Sequence, residues 1–170
     1  MRFLFRQVDP ASVRSVLVVQ TCNPDLLRHV VADVKNRFAK AKVTVLIQRG
    51  MMPYLPPMPA DEIQENPATG KRELLRRLRA RRFDAACVTW SGEHGFWKLK
   101  LLPFALGVRA IWAYDRLANP TPIGAGNIGR RLRNVGPANV ARLNSRRLMA
   151  PLTFWRLWGF YRKRCRNKRV

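Results

Sequence analysis

The segment best suited to chemistry is Trp90-Ser91-Gly92-Glu93-His94-Gly95, which follows an apolar run of strand type. It pairs a carboxylate with an imidazole, and such a pair can take up or deliver a proton. Its glycines permit close approach of the backbone to a ligand, and an indole can stack on a sugar or a base. The segment therefore predicts a site with catalytic Glu93 and His94 and substrate-binding Trp90, Ser91 and Gly92. A tight loop with a solvated Glu–His pair is the alternative.

Asp25 is a further catalytic candidate, in the turn Gln20-Thr21-Cys22-Asn23-Pro24-Asp25 after the first predicted strand. Ligands of parallel sheets collect at the carboxyl ends of strands, near a topological switch point, so a carboxylate there can act as a general base. An acid in the first turn of a helix also simply complements the helix dipole. The sequence leaves both interpretations open.

No cofactor and no metal ion are predicted. Gly124-Ala125-Gly126-Asn127-Ile128-Gly129 matches the dinucleotide fingerprint, but that chemistry requires the motif after a first strand, with an acid about 20 residues further on. Here it follows the last predicted strand and no acid follows it, which favours a glycine-rich connector. The two histidines, His29 and His94, are too few and too far from cysteine for a zinc site.

These candidates depend on elements that the hydrophobic pattern predicts. Buried strands of parallel type are expected at residues 16–19, 43–47, 85–89 and 110–113. Helices are expected after Asn23 (with Leu26, Val30 and Val34 facing inward), over 69–82, and over 96–106 with a kink or shift at Pro103. Four prolines exclude helix and central strand from 51–59, and 61–66 is a short edge strand. Alternating strands and helices predict an α/β Rossmann-like layer sandwich with a mostly parallel sheet over residues 13–116.

Charge divides the chain. Residues 117–170 contain no Asp or Glu and carry 13 of the 33 Lys and Arg residues, so they supply +13 of the formal net charge of +23. Residues 117–147 are a Gly-, Pro- and Arg-rich linker or extension, and 148–170 are a basic, aromatic, amphipathic helix. Such a tail suits an anionic membrane surface or single-stranded nucleic acid. The residues predicted to contact the polyanion are Trp155, Arg156, Trp158, Tyr161, Arg162, Lys163 and Arg164.

The remaining features concern location. Three cysteines without CxxC spacing, one of them (Cys87) inside an apolar run, indicate buried free thiols and a reducing compartment. No signal-peptide core and no apolar run of membrane-spanning length is found. We expect a cytoplasmic protein that is peripheral on the inner membrane face.

The order of elements resembles the N-terminal, acceptor-side half of heptosyltransferase-like glycosyltransferases with two Rossmann domains. The resemblance covers residues 13–116: a VLVV strand, an amphipathic helix, VTVLI, an Asp-Glu-Ile segment, and the stretch Leu-Leu-Arg-Arg-Leu-Arg-Ala-Arg-Arg-Phe-Asp84. Those relatives carry an Arg-Leu-x-x-x-Gly-Asp turn after the first strand, whose aspartate is the expected catalytic base. Here the turn is one residue shorter, with Gln20 for the arginine, Pro24 for the glycine, and Asp25 retained.

The resemblance implies an acceptor-side domain of cell-envelope glycan assembly that lacks the nucleotide-sugar domain. We therefore expect the chain to be incomplete or inactive alone and to need a partner domain or subunit that binds the nucleotide sugar. Two other interpretations stay open. The basic charge alone favours a nucleic-acid-binding module on a Rossmann-like scaffold, although no known binding signature is present. A truncated, non-enzymatic homologue is the third.

Overall fold

A computed structural model describes residues 8–67, 70–90 and 96–124 of the 170-residue chain. The strands are β1 (Ser15–Val19), β2 (Lys42–Ile47), β3 (Glu62–Glu65), β4 (Ala85–Thr89), β5 (Ala110–Tyr114) and β6 (Pro120–Pro122). The helices are α1 (Pro24–Arg37), α2 (Lys71–Ala80), α3 (Trp97–Lys100) and α4 (Leu102–Leu106). All four predicted central strands are present.

The strands form one sheet in the order β3-β2-β1-β4-β5-β6. The first five are parallel to one another, and β6 alone pairs antiparallel, with β5. From β1 the chain moves outward through β2 to β3, then returns to place β4 on the other side of β1. This reversal makes the β1–β4 boundary the topological switch point. The predicted α/β Rossmann-like sheet is confirmed.

Helices cover both faces of the sheet, which explains why its central strands are mostly apolar and buried on both faces. On one face Val16 and Val18 pack with the α1 residues Leu27, Val30 and Val34. On the other face Leu17 and Val19 belong to a cluster that includes the α2 residues Leu74 and Leu78 and the α4 residue Leu106. Leu26, which was expected to face inward, is half-buried, and Leu27 fills the fully buried position.

Local chemistry fixes the helix ends. The side chain of Asn23 caps α1 by accepting a hydrogen bond from the Leu26 amide at 2.9 Å, and Pro24 occupies the first helical position. The sequence predicts one helix over 96–106 with a kink or shift at Pro103; the structure instead has two separate helices, α3 and α4, and Pro103 is the second residue of α4. Proline lacks the amide hydrogen that would continue the α3 ladder. Gly107 ends α4 at a φ of 73°.

The sheet continues past residue 116, where the sequence pattern ends. Strand β6 and the buried Ile123 lie within the segment interpreted as a linker or extension. The Ile123 amide donates to the Ile111 carbonyl at 2.8 Å, which ties the segment to β5. The sequence pattern did not predict β6 because prolines at both of its ends argue against a central strand. Proline is tolerated in an edge strand, which is what β6 is. No helix in the described ranges is long and apolar enough to cross a bilayer.

Candidate functional site at the carboxyl edge of the sheet

The carboxyl ends of β1 and β4 lie side by side. The two strands pair in parallel, with Val19 opposite Val88, so the segments that follow them leave the sheet at the same edge. The segment after β1 leads to Asp25, and Trp90 directly follows β4. The structure therefore brings Asp25 and Trp90, from different segments of the sequence, to one edge of the sheet at its switch point.

Two buried threonines join the strands at this edge. The Thr21 hydroxyl lies 2.7 Å from the Thr89 hydroxyl and donates to the Thr89 carbonyl at 2.5 Å. The Thr21 amide donates to the Thr89 hydroxyl at 3.2 Å. Both residues are fully buried, so their polar groups are satisfied by each other and not by solvent. We call this buried Thr21–Thr89 pair the threonine floor. Sequence reasoning gave them no role, because only the β1–β4 pairing places them together.

Gln20 explains how this chain departs from the Arg-Leu-x-x-x-Gly-Asp turn of the family that it resembles. The Gln20 side chain is fully buried; its carbonyl accepts from the Gln48 amide at 3.0 Å and its NH₂ donates to the Cys22 carbonyl at 3.3 Å. The glutamine thus links the ends of β1 and β2. A neutral amide serves that buried role, whereas an arginine there would carry a charge needing a partner. Gln20 is a structural residue and does not face solvent.

Asp25 is presented outward on the first turn of α1. Its side chain is exposed, while the neighbouring Pro24 and the Asn23 cap hold the turn in place. Among the described residues, no hydrogen bond or ion pair engages the Asp25 carboxylate. A carboxylate held on a rigid turn with its oxygens open to solvent can accept a proton from a bound hydroxyl group.

Trp90 contributes a half-buried indole beside a buried cation. Its amide donates to the Tyr114 carbonyl, which anchors the residue to the end of β5. The Lys100 ammonium, at the end of α3, lies 6.0 Å from the centroid of the Trp90 ring, and Lys100 is only 2% exposed. This distance is within the range of a cation–π contact. The sequence analysis did not single out Lys100. Its position within the apolar stretch 96–106 could have indicated that this lysine is buried.

A buried polar group on the α1 face has a structural role. The Tyr114 hydroxyl donates to the Asp33 carboxylate at 2.6 Å and thereby ties α1 to β5. Burial, together with the hydrogen bond to the Asp33 carboxylate and the charge of that carboxylate, raises the pKa of Tyr114 far above its ordinary value. Burial also raises the pKa of the Cys87 thiol. Cys87 is therefore the buried neutral thiol that the sequence predicted, and not a nucleophile.

Other predicted site residues lie outside the described ranges. They are Ser91, Gly92, Glu93 and His94 of the loop after Trp90, residues 125–129 of the glycine-rich motif, and all seven tail residues predicted to contact a polyanion. Within the described ranges, no three His, Cys, Asp or Glu side chains gather closely enough to hold a metal ion. The described part of the site consists of Asp25, Trp90, Lys100 and the threonine floor.

Comparison with known proteins gives one partial structural likeness. No protein-family model matches the chain, and no curated protein matches it. The structure of E. coli ADP-heptose LPS heptosyltransferase II is similar with a TM-score of 0.45 and 20% sequence identity. The match covers 59% of this chain and 30% of that one, so the chain spans less than a third of that protein's length.

Proposed function

We propose that this chain is the acceptor-side domain of a glycosyltransferase that acts together with a nucleotide-sugar-binding domain or subunit. The observation that carries the proposal is the position of Asp25 and Trp90 at the β1–β4 switch point, where the Asp25 side chain is exposed and the Trp90 indole, packed against the core, is half-buried. Clefts at such switch points are where open α/β sheets bind ligands. The sequence resemblance of residues 13–116 supplies the reaction class.

In the proposed reaction the acceptor sugar stacks on the Trp90 ring and presents one hydroxyl to Asp25. The Asp25 carboxylate takes the hydroxyl proton while the hydroxyl oxygen bonds to the anomeric carbon of the donor sugar. The bond from that carbon to the nucleotide diphosphate breaks, and the diphosphate leaves with the bonding electrons. Glu93 is the alternative base. The partner binds the nucleotide and completes the water-excluding cleft, which one edge of a sheet does not provide.

The first test is glycan binding by the full chain, without any partner. Envelope-type oligosaccharides on a glycan array should bind the unmodified chain, and Trp90→Ala should abolish that binding. Asp9→Asn is the control, because Asp9 is an exposed acid that precedes the amino end of β1. Unchanged binding by Trp90→Ala would remove the stacking role.

The second test is transfer in a mixture with candidate nucleotide-sugar-binding subunits encoded beside this chain. Asp25→Asn should lower kcat about 10² to 10⁴-fold, the usual contribution of a general base, while Asp9→Asn, at the opposite end of β1, should leave it unchanged. The chain alone should transfer no sugar. If Asp25→Asn and Glu93→Gln both retain full activity, neither residue is the base.

The proposal places this reaction in cell-envelope glycan assembly at the inner membrane face, where the basic tail holds the domain. Supporting it are the +13 charge of residues 117–170 and the aromatic residues among those cations. Co-sedimentation with liposomes should require anionic lipid, weaken at high salt, and fall sharply in the double variant Trp155→Ala, Trp158→Ala. A chain ending at Gly124, which keeps β6 and the buried Ile123, should bind these liposomes more weakly; equal binding would contradict the role of the tail.

Nucleic-acid binding is the second candidate, and the outer face of α2 favours it. Arg72, Arg76 and Arg77 are exposed there, and Glu73, which pairs with Arg76 at 2.9 Å, is the acid among them. Phosphate contacts would show as a steep fall of affinity with salt. Replacing Arg72 and Arg77 with Gln should then reduce that salt dependence, whereas glycan binding through Trp90 should be unaffected.

A further inference from the structure

The large apolar side chains that are exposed in the described ranges share one location. They are Met52 (47% exposed), Tyr54 (71%), Phe96 (44%) and Leu117 (80%). Each belongs to a connection that leaves the carboxyl end of a strand: β2 for Met52 and Tyr54, β4 for Phe96, and β5 for Leu117. The carboxyl edge therefore carries the exposed apolar surface of the described domain.

Hydrogen bonds hold two of these connections in place. The Met51 amide donates to the Gln48 carbonyl and the Tyr54 amide to the Met51 carbonyl, so the 3₁₀ turn Met52–Tyr54 stays close to the end of β2. In the β5–β6 turn, the Asp115 carboxylate accepts from the amides of Leu117 at 2.8 Å and Asn119 at 2.9 Å. Both connections thus present their apolar side chains outward from fixed turns.

These side chains flank the candidate site. Strands β2 and β5 lie on either side of the β1–β4 pair, and four adjacent strands span about 14 Å at the usual spacing. Met52 and Tyr54 are on one side of the switch point and Leu117 is on the other. The four exposed apolar side chains, which we call the apolar tips, therefore lie at separate points around the site and do not form one continuous patch.

Exposed cations accompany the apolar tips. Arg49, Lys98 and Arg116 are exposed in the same three connections. Of the acids described there, Asp61 pairs with Lys35, and Asp115 accepts from the backbone of its own turn. The whole chain adds a net charge of +23. Aromatic and aliphatic tips with neighbouring cations match the interface of an anionic bilayer, where rings lie at headgroup level and cations meet phosphate.

We propose that the carboxyl edge of the sheet docks on an anionic membrane surface, in addition to any contact made by the tail. Met52, Tyr54, Phe96 and Leu117 enter the headgroup region, and Arg49, Lys98 and Arg116 contact lipid phosphates. The aliphatic tips favour lipid over nucleic acid, because Met and Leu gain from burial among acyl chains but offer no ring for stacking on bases. Their spread over three connections favours a fluid surface over the contiguous core of a protein interface.

The test places an environment-sensitive fluorophore on single cysteines in the full chain. Tyr54→Cys and Leu117→Cys report on the carboxyl edge, and Lys40→Cys, exposed between α1 and β2, is the matched position at the amino edge. All three variants carry Cys165→Ser, and the remaining Cys22 and Cys87 are buried. On phosphatidylglycerol vesicles, the probes at positions 54 and 117 should brighten, shift to the blue and be quenched by nitroxide lipids. The probe at position 40 should not change.

Affinity provides a second measurement. The double variant Tyr54→Ala, Leu117→Ala should bind these vesicles about tenfold more weakly, with the tail intact. Vesicles of phosphatidylcholine should give neither the probe response nor tight binding.

Probes at 54 and 117 that stay in water while the chain sediments with vesicles would overturn the proposal, since the tail would then be the sole contact. An equal response at position 40 would also overturn it. So would a response to single-stranded RNA without one to vesicles, because the edge would then be a nucleic-acid surface. None of these measurements depends on sugar transfer, so the proposed function stands or fails separately.

Discussion

The two ends of the β1–β4 strand pair use polar side chains in opposite ways. At the amino edge, Asp84 accepts from the amides of Arg14 and Ser15, both at 3.0 Å, and neighbouring acids are likewise engaged. Asp61 accepts from Lys35 and from the Val43 amide, and Glu62 pairs with Arg81. At the carboxyl edge, threonines join the strands and the acid Asp25 remains exposed.

The difference separates stability from function within one sheet. Acids at the amino edge satisfy backbone amides and neighbouring cations, so they have a structural explanation. At the carboxyl ends of β1 and β4, neutral Gln20, Thr21 and Thr89 meet the structural requirements, and Asp25 is exposed. Further along this edge, Glu65 and Asp115 accept from backbone amides as the amino-edge acids do. The comparison makes four predictions, ordered by expected effect.

The largest effect should come from the core beneath the carboxyl edge. Leu27 is fully buried in the first turns of α1, so Leu27→Ala should lower the free energy of unfolding by about 2 to 5 kcal/mol. Leu26→Ala is the matched control. Because Leu26 is half-buried, this variant should lower the free energy of unfolding clearly less than Leu27→Ala does. Urea unfolding measures both. Equal losses would mean that the carboxyl edge is loosely packed and that Asp25 lacks a rigid support.

Removing one hydroxyl should weaken the threonine floor. Thr89→Val keeps the shape of the side chain but leaves the buried Thr21 amide without its acceptor, which should cost about 1 to 3 kcal/mol. Thr89→Ser retains the hydroxyl and should recover most of this loss. If valine and serine destabilise equally in urea, packing rather than hydrogen bonding joins the two strands.

The acids of the two edges should differ in their effect on stability. Asp84→Ala removes the acceptor of two backbone amides and of the Ser15 hydroxyl, and should cost about 1 to 2 kcal/mol, a value limited by exposure to water. Asp25→Ala loses no hydrogen bond within the described ranges, so its thermal midpoint should stay close to that of the unmodified chain. A larger loss for Asp25 than for Asp84 would reverse the comparison.

The smallest effect concerns acid pH at the amino edge. A hydrogen bond from Lys35 lowers the pKa of Asp61 below its ordinary value of 3.8, and one from Arg81 lowers the pKa of Glu62 below 4.5. Because both folded pKa values are depressed, their stabilisation is present above about pH 4.5 and is lost as the pH falls through the folded pKa values.

Urea unfolding between pH 7 and pH 3 measures this loss. The double variant Asp61→Asn, Glu62→Gln should show a flatter decline of the free energy of unfolding below pH 4.5, whereas Asp25→Asn should leave the decline unchanged. An unchanged slope in the double variant would mean that these exposed pairs contribute nothing measurable.

The sequence by itself determined the parallel strands, the Asn23-capped helix, a departure from one regular helix near Pro103 and the burial of Cys87. Each follows from a local pattern, such as a β-branched apolar run, a capping side chain or a proline, and local patterns are legible without knowing which elements meet. The same patterns marked Asp25 and Trp90 as candidates.

The tertiary structure alone decided which candidates share an edge and which polar residues are structural. The Thr21–Thr89 contact joins residues 68 apart in sequence, and the buried Gln20 side chain accepts from the amide of Gln48, which directly follows β2. The tertiary structure buries Lys100 with its ammonium 6.0 Å from the centroid of the Trp90 ring, and it pairs β6 with the edge that β5 offers. Strand order and side-chain burial arise from long-range pairing, so no window of the sequence contains them.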